Sequence, residues 1–270
     1  MKKLIVASCL SFLALSVVAQ KNSSKAEKKL EKRKKEAAMI RQEEEGVLAY
    51  RKQNTFGLQL RTNGYGLFFE KGINKTPRFT NLYLIELTEV KHPKERKNND
   101  GQGAFSNSYI YGKEFNFYQL KLGFGQQYIF GQKGNKNGIA VMGIYEGGLS
   151  LGLLRPYHLD IDDNGTKRSI TYSGADSAKF LGNGGGVKVL GSSGLSKGWN
   201  EIKVRPGAFV KAALRFDFNK YNEKVQAIQI GLSLEAYLKK INILVAGPDF
   251  PKPKNMFVEG HLAFVFGNRK

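Results

Sequence analysis

The sequence predicts an all-β chain: an eight-stranded, antiparallel, up-and-down transmembrane β-barrel with an N-terminal charged helix. Three observations carry that prediction. First, residues 204–218 alternate strictly, with Val204, Pro206, Ala208, Val210, Ala212, Leu214, Phe216 and Phe218 on one face. Arg205, Lys211, Arg215 and Asp217 share the other face with Gly207, Phe209 and Ala213. A strand sends successive side chains to opposite sides, so this is one long strand with an oily and a charged face. Ordinary strands run about 5–6 residues, whereas a membrane-crossing strand needs about 9–11. Second, seven further stretches show the same texture. Third, the long connections fall on one side of the implied meander and most short ones on the other.

In chain order, the N-terminus comes first. Lys2 and Lys3 precede an apolar run that ends at Val17-Val18-Ala19. This fits a secretory signal peptide over residues 1–19, cleaved before Gln20. Val6-Ala7-Ser8-Cys9 also resembles a lipidation motif, but the apolar run continues well past it. Cys9 is the single cysteine, so the mature chain would have no disulfide, catalytic thiol or Cys-ligated metal. Loss of Lys2 and Lys3 takes the formal charge from +20 to +18. An exported chain with that charge is expected to meet outer-membrane lipid or other envelope proteins, and no nucleic acid.

Residues 20–53 read as a basic periplasmic helix or linker. Ser24-Lys25-Ala26-Glu27 fits a capping box. Lys28, Lys29, Lys32, Arg33, Lys34 and Lys35 form a candidate partner-binding face, and a solvated charged spacer is the competing account. Residues 54–270 read as the barrel. Its strands begin with Phe56, Leu58 and Leu60 alternating with Gly57, Gln59 and Arg61. Asn63-Gly64 predicts a two-residue hairpin into the Tyr65–Glu70 alternation. Further strands are expected over 79–91, 116–130, 139–154, 204–218, 224–238 and 255–267. Residues 155–200 read as the longest irregular stretch.

The even connections are short (72–77, 131–138 and 219–223). The odd ones include the three longest: 92–106, 155–200 and 239–254. Membrane barrels have short turns at one end and long loops at the other. A soluble barrel would instead bury its apolar face. Gly57, Gly123, Gly125, Gly148, Ser150 and Ser233 crowd the polar face, which suits a packed lumen better than a solvated exterior. The lumen ionic network is assigned to Arg205, Lys211, Arg215, Asp217, Glu235 and Glu259. Arg61, Lys121 and Glu146 lie on the same face. Eight strands leave room for packed side chains and not for an open pore.

The residues from about Thr55 to Lys270 resemble the small outer-membrane β-barrels of Gram-negative bacteria. His261-Leu262-Ala263-Phe264-Val265-Phe266 resembles their aromatic last strand, although four residues follow. The Ala19/Gln20 junction and the Lys- and Asn-rich loops look like exported proteins of the Bacteroidota. In that group, small barrels occur as accessory subunits of assembly and secretion machines. The resemblance implies location in the cell outer membrane. A closed barrel with no catalytic constellation reads as non-enzymatic, and the leading expectation is an accessory or scaffold subunit of an envelope assembly or secretion complex. Contacts would run through the basic N-terminal helix or the long extracellular loops. Asp176-Ser177-Ala178 also resembles that group's O-glycosylation acceptor.

Two other roles stay open: a lipid-modifying barrel enzyme, and a stand-alone adhesion or membrane-stabilising barrel. The enzyme would draw on His158 and Asp160 with Ser169 or Ser173, but no G-x-S-x-G elbow is present. Asp160–Gly165 matches the first half of a calcium loop, yet Thr171 stands at the twelfth position, where a carboxylate is needed. No catalytic, cofactor or metal residue is assigned.

Overall fold

A computed structural model describes residues 29, 30, 33, 50–98, 108–134, 137–183, 185–220, 223–247 and 250–270. The expected signal peptide and the body of the basic helix lie outside these residues. Lys29, Leu30 and Arg33 are helical and exposed, while Lys28, Lys32, Lys34 and Lys35 fall outside. Among the described residues no helix is long and apolar enough to cross a membrane.

Eight strands close an antiparallel barrel: β1 (Lys52–Arg61), β2 (Gly64–Asn74), β3 (Phe79–Val90), β6 (Phe115–Gly131), β7 (Ala140–Pro156), β11 (Lys203–Asp217), β12 (Lys224–Ile241) and β13 (Lys254–Arg269). Each pairs with its neighbour in the meander, and β13 closes onto β1 from Gln53↔Arg269 to Arg61↔His261. The barrel starts earlier than the sequence reading places it, because Lys52 and Gln53 already belong to β1.

The orientation of the two faces follows from burial. Leu58, Leu122, Val210, Ile230, Leu232 and Val258 are exposed outside, whereas Arg61, Glu86, Lys121, Lys211 and Arg215 are buried inside. The fold is therefore inverted relative to a water-soluble domain, with charge at the centre and oil at the surface. Aromatic side chains gather outside toward one end, where Phe56, Phe69, Phe79, Phe130, Phe218, Phe264 and Phe266 are all exposed. That end carries both chain ends of the barrel and the short turns, 75–78, 132–139 and 218–223.

The opposite end carries the long connections. The 157–202 connection is not irregular as expected. It holds a three-stranded sheet of β8 (Leu159–Asp163), β9 (Thr166–Ile170) and β10 (Val187–Ser192), with a one-turn helix α1 (Ser177–Phe180). Tyr157, Leu159, Ile161, Ile170 and Phe180 form its core with Val245 from the 242–253 connection. Two shorter strands, β4 (Lys97–Asn98) and β5 (Tyr109–Ile110), sit in the 91–114 connection.

The first hairpin forms where expected but with a different turn. Arg61 pairs with Gly64, so Thr62 and Asn63 are the loop. Neither Asn63 nor Gly64 has positive φ, so this is not the Asn-Gly type I′ turn. Gly64 is needed for another reason: a Cβ there would lie 1.9 Å from the Glu89 carbonyl oxygen. Pro206 lies one residue beyond the last β11–β12 pair, Gly207↔Tyr237, so its missing N–H removes no bond from that ladder.

Candidate functional site

The lumen is a stack of paired charges. Its hub is Glu86 on β3. Lys121 Nζ lies 2.9 Å from one oxygen of Glu86 and Lys211 Nζ 3.3 Å from the other. Arg61 Nη1 approaches the first oxygen at 3.7 Å. Arg61 Nη2 meets Glu235 at 2.6 Å and also pairs with Glu259. Lys121 also pairs with Glu235. Lys211 continues to Glu146 at 2.9 Å. Toward the short-turn end, Arg215 Nη2 meets Glu70 at 2.6 Å and its Nε donates to Gln229 at 3.0 Å. At the end itself, Arg269 Nη2 meets Asp217 at 2.7 Å.

The arrangement follows from strand parity, since the odd residues of β11 and the even residues of β3 face inward. Lys211, Glu235 and Glu259 come together in one cluster around Glu86 and Arg61. Arg215 and Asp217 belong to separate pairs lower down. Arg205 is only half-buried, near the long-loop end, and its Nε has no hydrogen-bond partner among the described residues. It stands apart from the network because it lies one inward position beyond Gly207, which pairs with Tyr237 of the apolar cluster where the lumen turns apolar.

Sequence reasoning missed Glu86, Glu70 and Arg269. Glu86 was hidden because Leu82 and Leu84 share its face while Ile85 and Leu87 flank it. Arg269 explains the four residues after Phe266. They extend β13 so that this guanidinium reaches Asp217. His261 sits inside, with its Nε2 3.2 Å from the Gln229 amide nitrogen.

Two aromatic rings cross the lumen between the charges. Lys211 Nζ sits 5.0 Å from the Phe68 ring centre and Lys121 Nζ 5.5 Å from that of Phe209. Cations over ring faces gain quadrupole attraction. The rings fit because glycines face them. A Cβ on Gly57 would lie 2.2 Å from the tip of Phe68. Gly57→Val is therefore expected to destabilise the barrel by about 1–3 kcal/mol through overpacking. The urea midpoint of the folded, heat-modifiable band measures this, and Phe68→Leu in the same chain should recover part of the loss.

Both ends of the lumen are shut. At the short-turn end Tyr50 is buried, and its hydroxyl lies 2.9 Å from Thr80 Oγ1. The Gln127 amide donates to the same hydroxyl at 2.9 Å. The Arg269 guanidinium covers the Tyr50 ring at 4.9 Å. At the other end Val90, Phe115, Phe117, Leu154, Tyr237, Ile241 and Ile243 form an apolar plug under the small sheet.

The small sheet holds the residues that raised catalytic and calcium readings. Asn164 and Gly165 have φ of 53° and 87°, a type I′ turn joining β8 to β9. The aspartates diverge to separate partners. Asp160 accepts from Ser193 Oγ at 2.5 Å, Asp162 from the Gly165 amide at 2.8 Å, and Asp163 from Lys179 Nζ at 2.6 Å. Lys179 and then Arg168 hold the Asp163 carboxyl below the usual carboxylate range. Ser169 Oγ lies 2.7 Å from Ser193 Oγ. His158 points elsewhere, with Nδ1 3.3 Å from the Pro156 carbonyl. No Ser–His–Asp relay is assembled there. Asp176 pairs with Arg168 at 2.9 Å, and Ser177 Oγ donates to the Gly174 carbonyl at 3.1 Å.

No protein-family model matches the chain, and neither does any curated protein. Among solved structures the chain is similar to Neisserial surface protein A, at 12% identity over 81% of this chain and 96% of that one, with a TM-score of 0.35. It is also similar to the N-terminal β-barrel domain of Pseudomonas aeruginosa OprF, at 11% identity over 80% and 98%, with a TM-score of 0.33. A third is the attachment invasion locus protein Ail of Yersinia pestis, at 8% identity over 82% and 100%, with a TM-score of 0.34. The closed eight-stranded barrel itself rests on this chain's own strand register.

Proposed function

We propose that this chain is a non-enzymatic integral outer-membrane barrel that serves as an accessory or scaffold subunit of an envelope assembly or secretion complex. The observation that carries the membrane location is the outward apolar band around an ionic interior. On β12, Ile228, Ile230, Leu232, Leu234, Ala236 and Leu238 point outward between Gln226 and Lys240. Ten residues of tilted strand rise about 25 Å, the height of the apolar band of such barrels. In water this surface would be an aggregation hazard, whereas in lipid it is matched.

A lumen filled by ion pairs and closed by Tyr50 and by the apolar plug favours a scaffold over a conduit. Asp160 and Ser169 meet at Ser193 Oγ while His158 turns to the Pro156 carbonyl, which favours a structural loop sheet over a lipid-modifying site. Contacts on both sides of the membrane would use the small sheet at one end and, through the basic helix expected from the sequence, the end where the chain enters the barrel at Tyr50.

The test has two stages. The purified chain is expected to migrate differently in a gel before and after boiling, and to stay with membranes in carbonate. A chain that washes off is not a membrane barrel. Extraction in mild detergent should then bring down defined envelope partners in fixed proportion. Recovery of this chain alone, folded, removes the subunit role and leaves a stand-alone barrel.

A further inference from the structure

The barrel closes through two strands of unequal reach. β1 and β13 are paired only as far as Arg61↔His261. On its other flank β13 stays paired with β12 without a break up to Ala236↔Met256, and past an irregularity again at Ile241↔Lys254. Met256–Gly260 therefore has a strand on one side only. The amide of Thr62 donates to the Gly260 carbonyl. Backbone groups in a strand alternate in direction, so even-numbered residues of β13 aim theirs at the β1 side. The N–H and C=O of Met256 and Val258 point into the space above the first hairpin. Among the described residues, no hydrogen bond reaches them.

This edge is at membrane depth. The outward residues of β13 run from Met256 to Phe266, bounded by Lys254 and Asn268. That run spans the same height of about 25 Å as the band on β12. Met256 is 53% and Val258 71% exposed, so the open backbone lies among apolar side chains at the upper part of the band. Open sheet edges do not persist against lipid, because nothing there satisfies the amides. The gap does not lead into the lumen. Phe257 closes it from within, with ring centres 5.7 Å from Phe117 and 6.0 Å from Tyr237.

We propose that Met256–Gly260 is a strand-addition site for an extended segment of another polypeptide. The segment runs antiparallel to β13, with apolar residues facing lipid and carboxylates at its upper end. This rests on the outer-membrane reading. Antiparallel addition is the pairing β13 already makes on both flanks. The outward side chains of the added strand continue the face of Met256 and Val258. Its upper end passes Lys252 and Lys254, which are exposed and have no ion pair among the described residues. A second copy inserted in the same sense presents β13 pointing the same way, so two such edges cannot pair antiparallel.

The test uses the purified full chain in micelles and a synthetic alternating valine–serine peptide ending in two glutamates. The readout is hydrogen exchange at the Met256 and Val258 amides. Both should exchange fast alone and about tenfold slower with peptide. Val258→Pro removes one seam-side N–H and none from the β12 ladder, so it should abolish the protection. Lys252→Glu with Lys254→Glu should weaken it, and this variant carries the comparison if Val258→Pro does not fold. Three results each overturn the proposal: unchanged exchange with peptide, slow exchange in the dilute chain alone, or slowing that grows with protein concentration and needs no peptide. Heat-modifiable migration of the wild-type chain is read in parallel. If that fails, it is the membrane barrel that is wrong and not the edge.

Discussion

Glu86→Ala is expected to destabilise the folded barrel by about 3–5 kcal/mol, the usual result of removing one partner from a buried ion pair. The side chain of Glu86 is about 2% exposed and faces Arg61, Lys121 and Lys211 at once. Its removal leaves three cations around a void, and Glu235 and Glu146 compensate only part of that charge. The comparison variant is Glu89→Ala, three residues along the same strand. Glu89 accepts a hydrogen bond from Tyr65 at 2.5 Å on the outer surface. Its loss should cost about 0.5–1.5 kcal/mol. Urea unfolding in micelles, followed by the heat-modifiable band, separates the two. An unchanged midpoint for Glu86→Ala means the lumen is wet enough to solvate its charges, and the closed-interior account fails.

Leu232→Arg is the second large effect. Leu232 is 64% exposed and stands halfway along the outward band of β12. In water, placing arginine at so exposed a position is close to neutral. At the centre of a bilayer it costs about 2–4 kcal/mol. Leu238→Arg, at a residue 82% exposed beside Lys239 and Lys240, should cost only about 0–1 kcal/mol at the interface. Folding into lipid vesicles measures both. Equal, negligible effects at the two sites would place the band in water and remove the membrane barrel.

The strands were legible because an inverted fold still obeys a period of two. Outward Leu and Phe alternate with inward charge on β11, β12 and β13, and no competing helical pattern disturbs them. β3 was harder to read. Leu82 and Leu84 line the lumen beside Glu86, so both faces of the strand look apolar and its hub carboxylate is concealed. The small sheet was readable in principle, since Tyr157, Leu159 and Ile161 alternate with His158 and Asp160, and Asn164-Gly165 is a hairpin signal. The glycine content of the same stretch, with Gly184-Gly185-Gly186, points instead to an irregular segment. The Arg269–Asp217 pair could not be read at all. It joins inward residues of β11 and β13, two strands apart with β12 between them, at positions 52 residues apart in the chain, and no local pattern encodes that.

The occupied lumen has a consequence for how many copies a cell can carry. An open channel sets a ceiling on its own abundance, because every added copy leaks ions, nutrients and toxic solutes. A barrel whose bore is filled by Arg61, Glu86, Lys121, Lys211 and Arg215 contributes no leak. Its abundance can therefore rise with the permeability of the envelope left unchanged.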